Sequence, residues 1–316
     1  MINYNELFEE SKKIAQKAEL TQLELYQRFM FERILERISV SKYCSNFILK
    51  GGLLLSAMFG IESRSTRDMD ISIKGIDIDK EKMLEVLNEI LSININDKVK
   101  FKIMNISDIR EEDEYGGNKY HIVGKLENLK VALEIDISTG DEITPRELNY
   151  EYKSLFEDKK IYIGSYNIET ILAEKIETIL RRGKYNARMK DYYDIYFFLS
   201  KLNDDINKDI FRQALDNTVM QREASEYLKD YQKILNELLI NDRIHKNWNI
   251  YSNKTKYAKN IEFNDIICLL IRFLNNNAKN IQIWNEKYMK FVISAKKWYN
   301  KNVLKNQRRN CYGKSN

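Results

Sequence analysis

From Asp68 to Ile73 polar and apolar residues alternate without a break, the pattern of a strand with one face buried. Met69, Ile71 and Ile73 make the buried face. Asp68 and Asp70 project together from the other, roughly 7 Å apart at Cα. Two carboxylates this close attract a hard divalent cation, Mg²⁺ or Mn²⁺, which can bridge the phosphates of a nucleoside triphosphate and offset charge during phosphoryl or nucleotidyl transfer. Upstream, Gly51 and Gly52 follow the apolar run Phe47 to Leu49 and precede a helical-looking Leu53 to Phe59. A strand, tight turn and helix start in that order offer backbone N–H groups to a phosphate. Alone, a diglycine is usually a tight turn and a D-x-D a solvated face. Their occurrence together with Arg64 and Thr66 gives the segment its chemical meaning.

At 316 residues, 43% hydrophobic and 31% charged, the chain has the make-up of a soluble globular protein large enough for two packed units. No apolar run approaches the roughly 20 residues of a membrane span, and the polar, acidic N-terminus lacks a signal-peptide pattern, so the expected location is the cytoplasm. Cys44, Cys268 and Cys311 lack metal or disulfide spacing and are expected as thiols, two buried and one near the tail. His121 and His245 are the only histidines, which leaves chemistry to carboxylates, lysine and arginine. The net charge of +5 is unevenly spread: nine Lys and Arg against one Glu from Asn285 onward give +8, leaving −3 for everything before. With Trp284, Tyr288, Phe291, Trp298 and Tyr299 interleaved, that segment suits either a nucleic-acid backbone or a helix with aromatics inward and lysines solvated.

The periodicity predicts three parts. Residues 1–40 are helical: Thr21 and Glu24 form a capping box, and Leu23, Tyr26, Met30, Ile34 and Ile38 keep helical spacing. Residues 41–166 mix strands (46–50, 68–74, 99–104, 120–126, 131–138 and 160–164) with a helix capped by Asp79. Residues 167–316 are helical, over 167–182, 187–200, 209–219, 223–240, 263–275 and 282–305, ending in the basic tail.

The sequence of a diglycine, a short apolar helix and R-x-T-x-D-x-D, with Arg64, Thr66, Asp68 and Asp70 in register, resembles the first motif of the AbiEii/AbiGii toxin family. Those proteins are DNA-polymerase-β-like nucleotidyltransferases that serve as toxins of type IV toxin–antitoxin and abortive-infection (phage-defence) systems. Relatives often carry Ser or Thr directly after the glycines, where this chain has Leu53. The resemblance implies an α+β fold: a polymerase-β-type nucleotidyltransferase core with a mixed sheet, N-terminal helices and a C-terminal helical bundle. Such a site needs a third carboxylate from a neighbouring strand. Within Leu129 to Ser138, Val131, Leu133, Ile135 and Ile137 line one face and Lys130, Ala132, Glu134 and Asp136 the other; Asp136 is the expected third metal ligand and base, with Glu134 as competitor.

In the helical part, Ile168, Ile171, Leu172, Ile176 and Ile179 define an apolar arc at about 100° per residue, and Lys175 and Arg182 fall inside it. A lysine in such a stripe snorkels outward or meets an anion. The next helix places Asp191 between Ile195 and Phe198, with Asp194 beside it, so the alternatives are a structural salt bridge and a triphosphate-holding lysine oriented by an aspartate. The stretches LAEKIETILRR and ARMKDYYDIYFFL look like the family's later motifs. That likeness implies catalytic roles for Asp68, Asp70, Asp136, Lys175 and Asp191, and nucleotide contacts from Gly51, Gly52, Arg64, Thr66, Lys175, Arg182 and Asp194. It also implies a nucleoside triphosphate substrate, a tRNA 3′ end or other RNA as acceptor, and a cognate antitoxin from the same operon. A protein hydroxyl as acceptor, by nucleotidyl transfer or phosphorylation, and a non-catalytic nucleotide- or RNA-binding module are the alternatives.

Overall fold

The structure, a computed structural model, describes residues 2–18, 20–75, 79–109, 117–140 and 142–277. The expected helix over 282–305, the basic aromatic tail and Cys311 lie outside them. The chain divides into two compact units, residues 1–171 and 172–316.

The first unit opens with helices α1 (Tyr4–Ala18) and α2 (Gln22–Ser39). Thr21 caps α2 through the capping box read from the sequence, with both reciprocal bonds to Glu24 formed. Then follow β1 (Phe47–Lys50), α3 (Gly51–Phe59), β2 (Asp68–Ile73) and α4 (Lys80–Ser92), the last capped by Asp79 and burying Met83, Val86, Leu87, Ile90 and Leu91. The sheet is completed by β3 (Val99–Asp108), β4 (Gly117–Leu126), β5 (Leu129–Thr139), β6 (Leu148–Lys153) and β7 (Lys160–Ser165). Its order is β3-β4-β5-β2-β1-β7-β6. The sheet is mixed: β2 runs parallel to β5 and antiparallel to β1, while β1 runs parallel to β7. The strand carrying Asp68 and Asp70 is therefore central. Met69, Ile71, Leu133, Ile135 and Ile137 are buried on one side of it. At about 25 cal/mol per Å² this burial, shared with α2 and α4, is the main stabilising term.

The sequence places Leu23 on the inner stripe of α2, but the structure leaves it 56% exposed. From Leu25 onward α2 is buried nearly all round, Arg28, Glu32, Arg33, Glu36 and Arg37 included. Charges buried at such positions must be paired. Arg37 donates to both Asp97 carboxylate oxygens, at 2.7 and 2.8 Å, and to the Val99 carbonyl at 3.0 Å. Asp97→Ala strands that guanidinium and is expected to lower stability by about 3–5 kcal/mol, read as a fall in the urea midpoint at unchanged slope. Two further expectations fail. Cys44 is exposed, in the turn between α2 and β1, and Cys268 is half-buried. Strand β6 lay outside the sequence reading because it is an edge strand, fully burying only Tyr152.

In the second unit the chain runs through α5 (Ile168–Arg182, whose first turn belongs to the first unit), α6 (Met189–Lys201), α7 (Lys208–Gln221), α8 (Ser225–Lys229), α9 (Tyr231–Leu239), α10 (Asp242–Lys254) and α11 (Phe263–Asn277). The single helix expected over 223–240 is two, because α8 buries none of its residues while α9 buries Tyr231, Leu235, Leu238 and Leu239. The sequence reading missed α10: it is polar and buries only Ile244, His245 and Trp248. Around Phe263 the rings of Tyr192, His245 and Trp248 pack at 5.1, 5.0 and 6.1 Å between centroids and anchor α6 against α10 and α11.

Candidate active site

The register of the central strands assembles the carboxylates. Asp70 lies opposite Asp136 on parallel β5 and Asp68 opposite Glu134, so the carboxylates of the two strands share a sheet face. Burial first, then the charges of Asp68 and Asp136, push the Asp70 carboxyl up to about 6. Asp136 is raised as well, chiefly by burial, with Asp68 and Glu134 adding to it against the pull of Lys119.

Each carboxylate has one oxygen engaged. Thr66 donates its hydroxyl to Asp68 Oδ1. The Gly52 N–H donates to Asp70 Oδ2 at 3.2 Å. The Lys119 ammonium lies 3.0 Å from Asp136 Oδ1, an ion pair, and 2.9 Å from Glu134 Oε2. Desolvation pulls Lys119 down, but these contacts outweigh it and hold its pKa above the ordinary lysine value.

The diglycine has a steric role that the sequence did not reveal. Gly51 sits at φ +63°, and a Cβ there would run into the Asp70 carboxylate; one on Gly52 would run into the Thr66 side chain. Gly52→Ala therefore displaces Thr66 from Asp68, and a roughly 10–100-fold loss of transfer rate is expected with the fold retained, measured by nucleotide incorporation beside far-UV circular dichroism. Arg64 is buried and donates to the Ser65 carbonyl at 2.5 Å, bracing the loop that presents Thr66.

Sequence reasoning missed two cations of this unit. Lys50, at the end of β1, is the register partner of Asp70, its charge opposes the rise of the Asp70 pKa, and its ammonium lies 5.6 Å from the Tyr166 ring centroid. Lys119 stands opposite Asp136. The alternation of Lys119, His121, Val123 and Lys125 was a signal for the latter, but its partner depends on a register that only the sheet defines.

In the second unit, Lys175 on α5 meets Asp191 Oδ1 at 2.7 Å and Asp194 Oδ2 at 2.8 Å, both on α6. Arg188 reaches the second Asp191 oxygen at 3.0 Å. Burial alone would raise the Asp191 carboxyl, but Lys175 and Arg188 hold it below the usual carboxylate range. Arg182 lies two turns beyond Lys175, at the last position of α5.

Among the described residues no group of three or more His, Cys, Asp or Glu side chains is placed as it stands to hold a metal ion. The donor chemistry of Asp68, Asp70 and Asp136 is the kind a divalent cation takes. All the donors are hard oxygens. Their excess negative charge, expressed in the raised Asp70, is what a dication would offset.

A central D-x-D strand beside a parallel strand bearing a third carboxylate, with a glycine turn leading into a helix, is the arrangement expected of a nucleotidyltransferase. The family model for the AbiEii nucleotidyl transferase toxin of type IV toxin–antitoxin systems matches residues 33–267, and the chain belongs to that family. Membership implies a nucleoside triphosphate substrate, a divalent metal in the usual case and a cognate antitoxin. Two solved structures from Helicobacter pylori match this chain. One is a candidate nucleotidyltransferase at 15% identity, covering 82% of this chain and 96% of its own with a TM-score of 0.49. The other, JHP933, shows 15% identity, covers 88% of this chain and 99% of its own, and has a TM-score of 0.49. Among curated proteins none matches. No helix of the described residues is long and apolar enough to cross a membrane.

Proposed function

We propose that this toxin transfers a nucleoside monophosphate from a nucleoside triphosphate to the 3′ hydroxyl of an RNA, the tRNA acceptor end in particular, in the cytoplasm. Asp68, Asp70 and Asp136 would hold the divalent cation, Mg²⁺ or Mn²⁺, which when bound supplies charge neutralisation on the phosphates. The acceptor oxygen attacks the α-phosphorus and its proton passes to Asp136. The bond from the α-phosphorus to its bridging oxygen breaks, and pyrophosphate leaves. The Gly51–Gly52 turn, Arg64 and Thr66 shape the triphosphate side of the site. The family motif assigns nucleotide roles to Lys175, Asp191, Asp194 and Arg182 as well, with Lys175 as the triphosphate cation. The observation that carries this reading is the parallel register that sets Asp70 opposite Asp136 and drives the Asp70 carboxyl up to about 6.

The test is to incubate wild type and Asp70→Ala with total bacterial RNA, Mg²⁺ and each α-³²P nucleoside triphosphate in turn. Label in a tRNA-sized band, lost in the variant, is expected and names the base. Label on protein instead would move the acceptor to a protein hydroxyl, and no label on either would remove the reading.

A further inference from the structure

The sheet face that carries the carboxylates also carries lysines whose placement the site itself does not use. Lys100 on β3 stands opposite Lys125 on β4, and Lys125 opposite Lys130 on β5, so three ammonium groups lie in one row across three strands. One row nearer the carboxylates, Lys102 stands opposite Val123, and Val123 opposite Ala132. All four lysines are exposed, and among the described residues none of them forms an ion pair. Like charges directly opposite each other destabilise a sheet. Lysines on an edge strand guard against aggregation, but that accounts only for Lys100 and Lys102. Strands β4 and β5 are interior, so Lys125 and Lys130 have no edge to protect.

Several other lysines of this unit are neutralised: Lys160 pairs with Glu151 at 3.0 Å, Lys74 with Glu147 at 2.9 Å and Lys119 with Glu134 at 2.9 Å. The unpaired row leads along β5 to Asp136. The six steps from Lys130 to Asp136 span about 20 Å of strand, and His121 and Glu134 occupy the level just before Asp136.

We infer that the β3–β4–β5 face is the docking surface for a nucleic-acid acceptor, whose backbone phosphates lie on Lys100, Lys102, Lys125 and Lys130 and whose 3′ end reaches Asp136. The assignment rests on the nucleotidyl-transfer reading for the direction of the strand. It rests on charge complementarity, and on the continuity of the face with the carboxylates, for the choice of a polyanion that ends in a hydroxyl. An acidic protein would satisfy the lysines without supplying phosphates at regular steps toward the site.

The experiment compares full-length wild type with the triple variant Lys100→Gln, Lys125→Gln and Lys130→Gln, and with a control triple, Lys229→Gln, Lys233→Gln and Lys246→Gln, that removes the same charge from the second unit. Fluorescence anisotropy of a labelled tRNA and a labelled single-stranded oligoribonucleotide is followed across a salt series. A fluorescent ATP analogue reports on the nucleotide site. The sheet triple is expected to lose roughly 10–100-fold in RNA affinity and to flatten the salt slope by about 2, with binding of the ATP analogue unchanged and the control far less affected. Unchanged RNA affinity, an equal loss in the control, or a wild type that binds polyglutamate and no RNA would overturn the assignment. Asp70→Asn separates the two readings, since it is expected to abolish transfer while keeping RNA affinity. A wild type that binds RNA through these lysines yet labels none would sink the transfer reading and leave the surface standing.

Discussion

Asp70→Asn is expected to melt above the wild type at neutral pH while transferring no nucleotide. The ordinary aspartate value is 3.8, and in the folded protein burial and the neighbouring carboxylates bring Asp70 to about 6. Below about pH 3 the group is protonated in both folded and unfolded states and costs the fold nothing. As pH rises through 6 the folded state must carry the charge, and about 2–3 kcal/mol of stability is lost by neutral pH. The amide removes that repulsion and can still accept the Gly52 N–H. The gain in Tm should be roughly 3–5 °C at neutral pH and should close below about pH 4, as measured by differential scanning fluorimetry over a pH series. Adding MgCl₂ should raise the wild-type Tm and leave the variant's nearly unmoved. Transfer should fall roughly 10³-fold or more, since a hard ligand is lost where charge develops. A variant that melts below the wild type at neutral pH would show that the repulsion among Asp68, Asp70 and Asp136 is weaker than the contacts the carboxylate makes.

The opposite sign is expected for Lys175→Met. It takes a cation from Asp191 and from Asp194, both almost wholly buried, and among the described residues Arg188 remains at Asp191. Breaking a buried ion pair by removing one partner costs about 3–5 kcal/mol, or roughly 5–8 °C in Tm. Because Lys175 and Arg188 depress Asp191, the stability it contributes is present above the unfolded carboxylate range and is lost as pH falls through the lower folded value. The wild-type advantage over the variant should therefore shrink in strong acid. Combining Lys175→Met with Asp194→Asn should recover part of the stability. If Lys175 serves the triphosphate as well as the helix pair, that double variant stays inactive. Recovery of transfer together with stability would reduce Lys175 to a structural counter-ion.

Much of this was legible in the chain because local physics and tertiary structure agree where the site is. The alternation around Asp68 and Asp70, the capping box at Thr21, the Asp79 cap and the paired anomalies of Lys175 and Asp191 each rest on spacing alone, and each takes the local form that spacing implies. What escaped was set by register or by surroundings. Lys119 and Lys50 acquire their carboxylate neighbours only when β4, β5, β2 and β1 align. Leu23 looked inward by period, yet the buried part of α2 begins with Leu25, and the charged residues beyond it are buried too, against any amphipathic rule. Strand β6 and helix α10 bury too little to announce themselves.

Because β2 is flanked by β1 on one side and by β5, more than 60 residues further along, on the other, the site is completed by contacts distant in sequence. A chain still emerging from the ribosome presents Asp68 and Asp70 long before Asp136 exists to stand beside them. It cannot close the site until residue 139 is free to pair, and β1 keeps an open flank until β7 arrives. Such non-local closure is slow compared with helix formation. Copies that stop before Asp136 are therefore expected to transfer no nucleotide, so that a toxin of this build arms itself only once its sheet is finished.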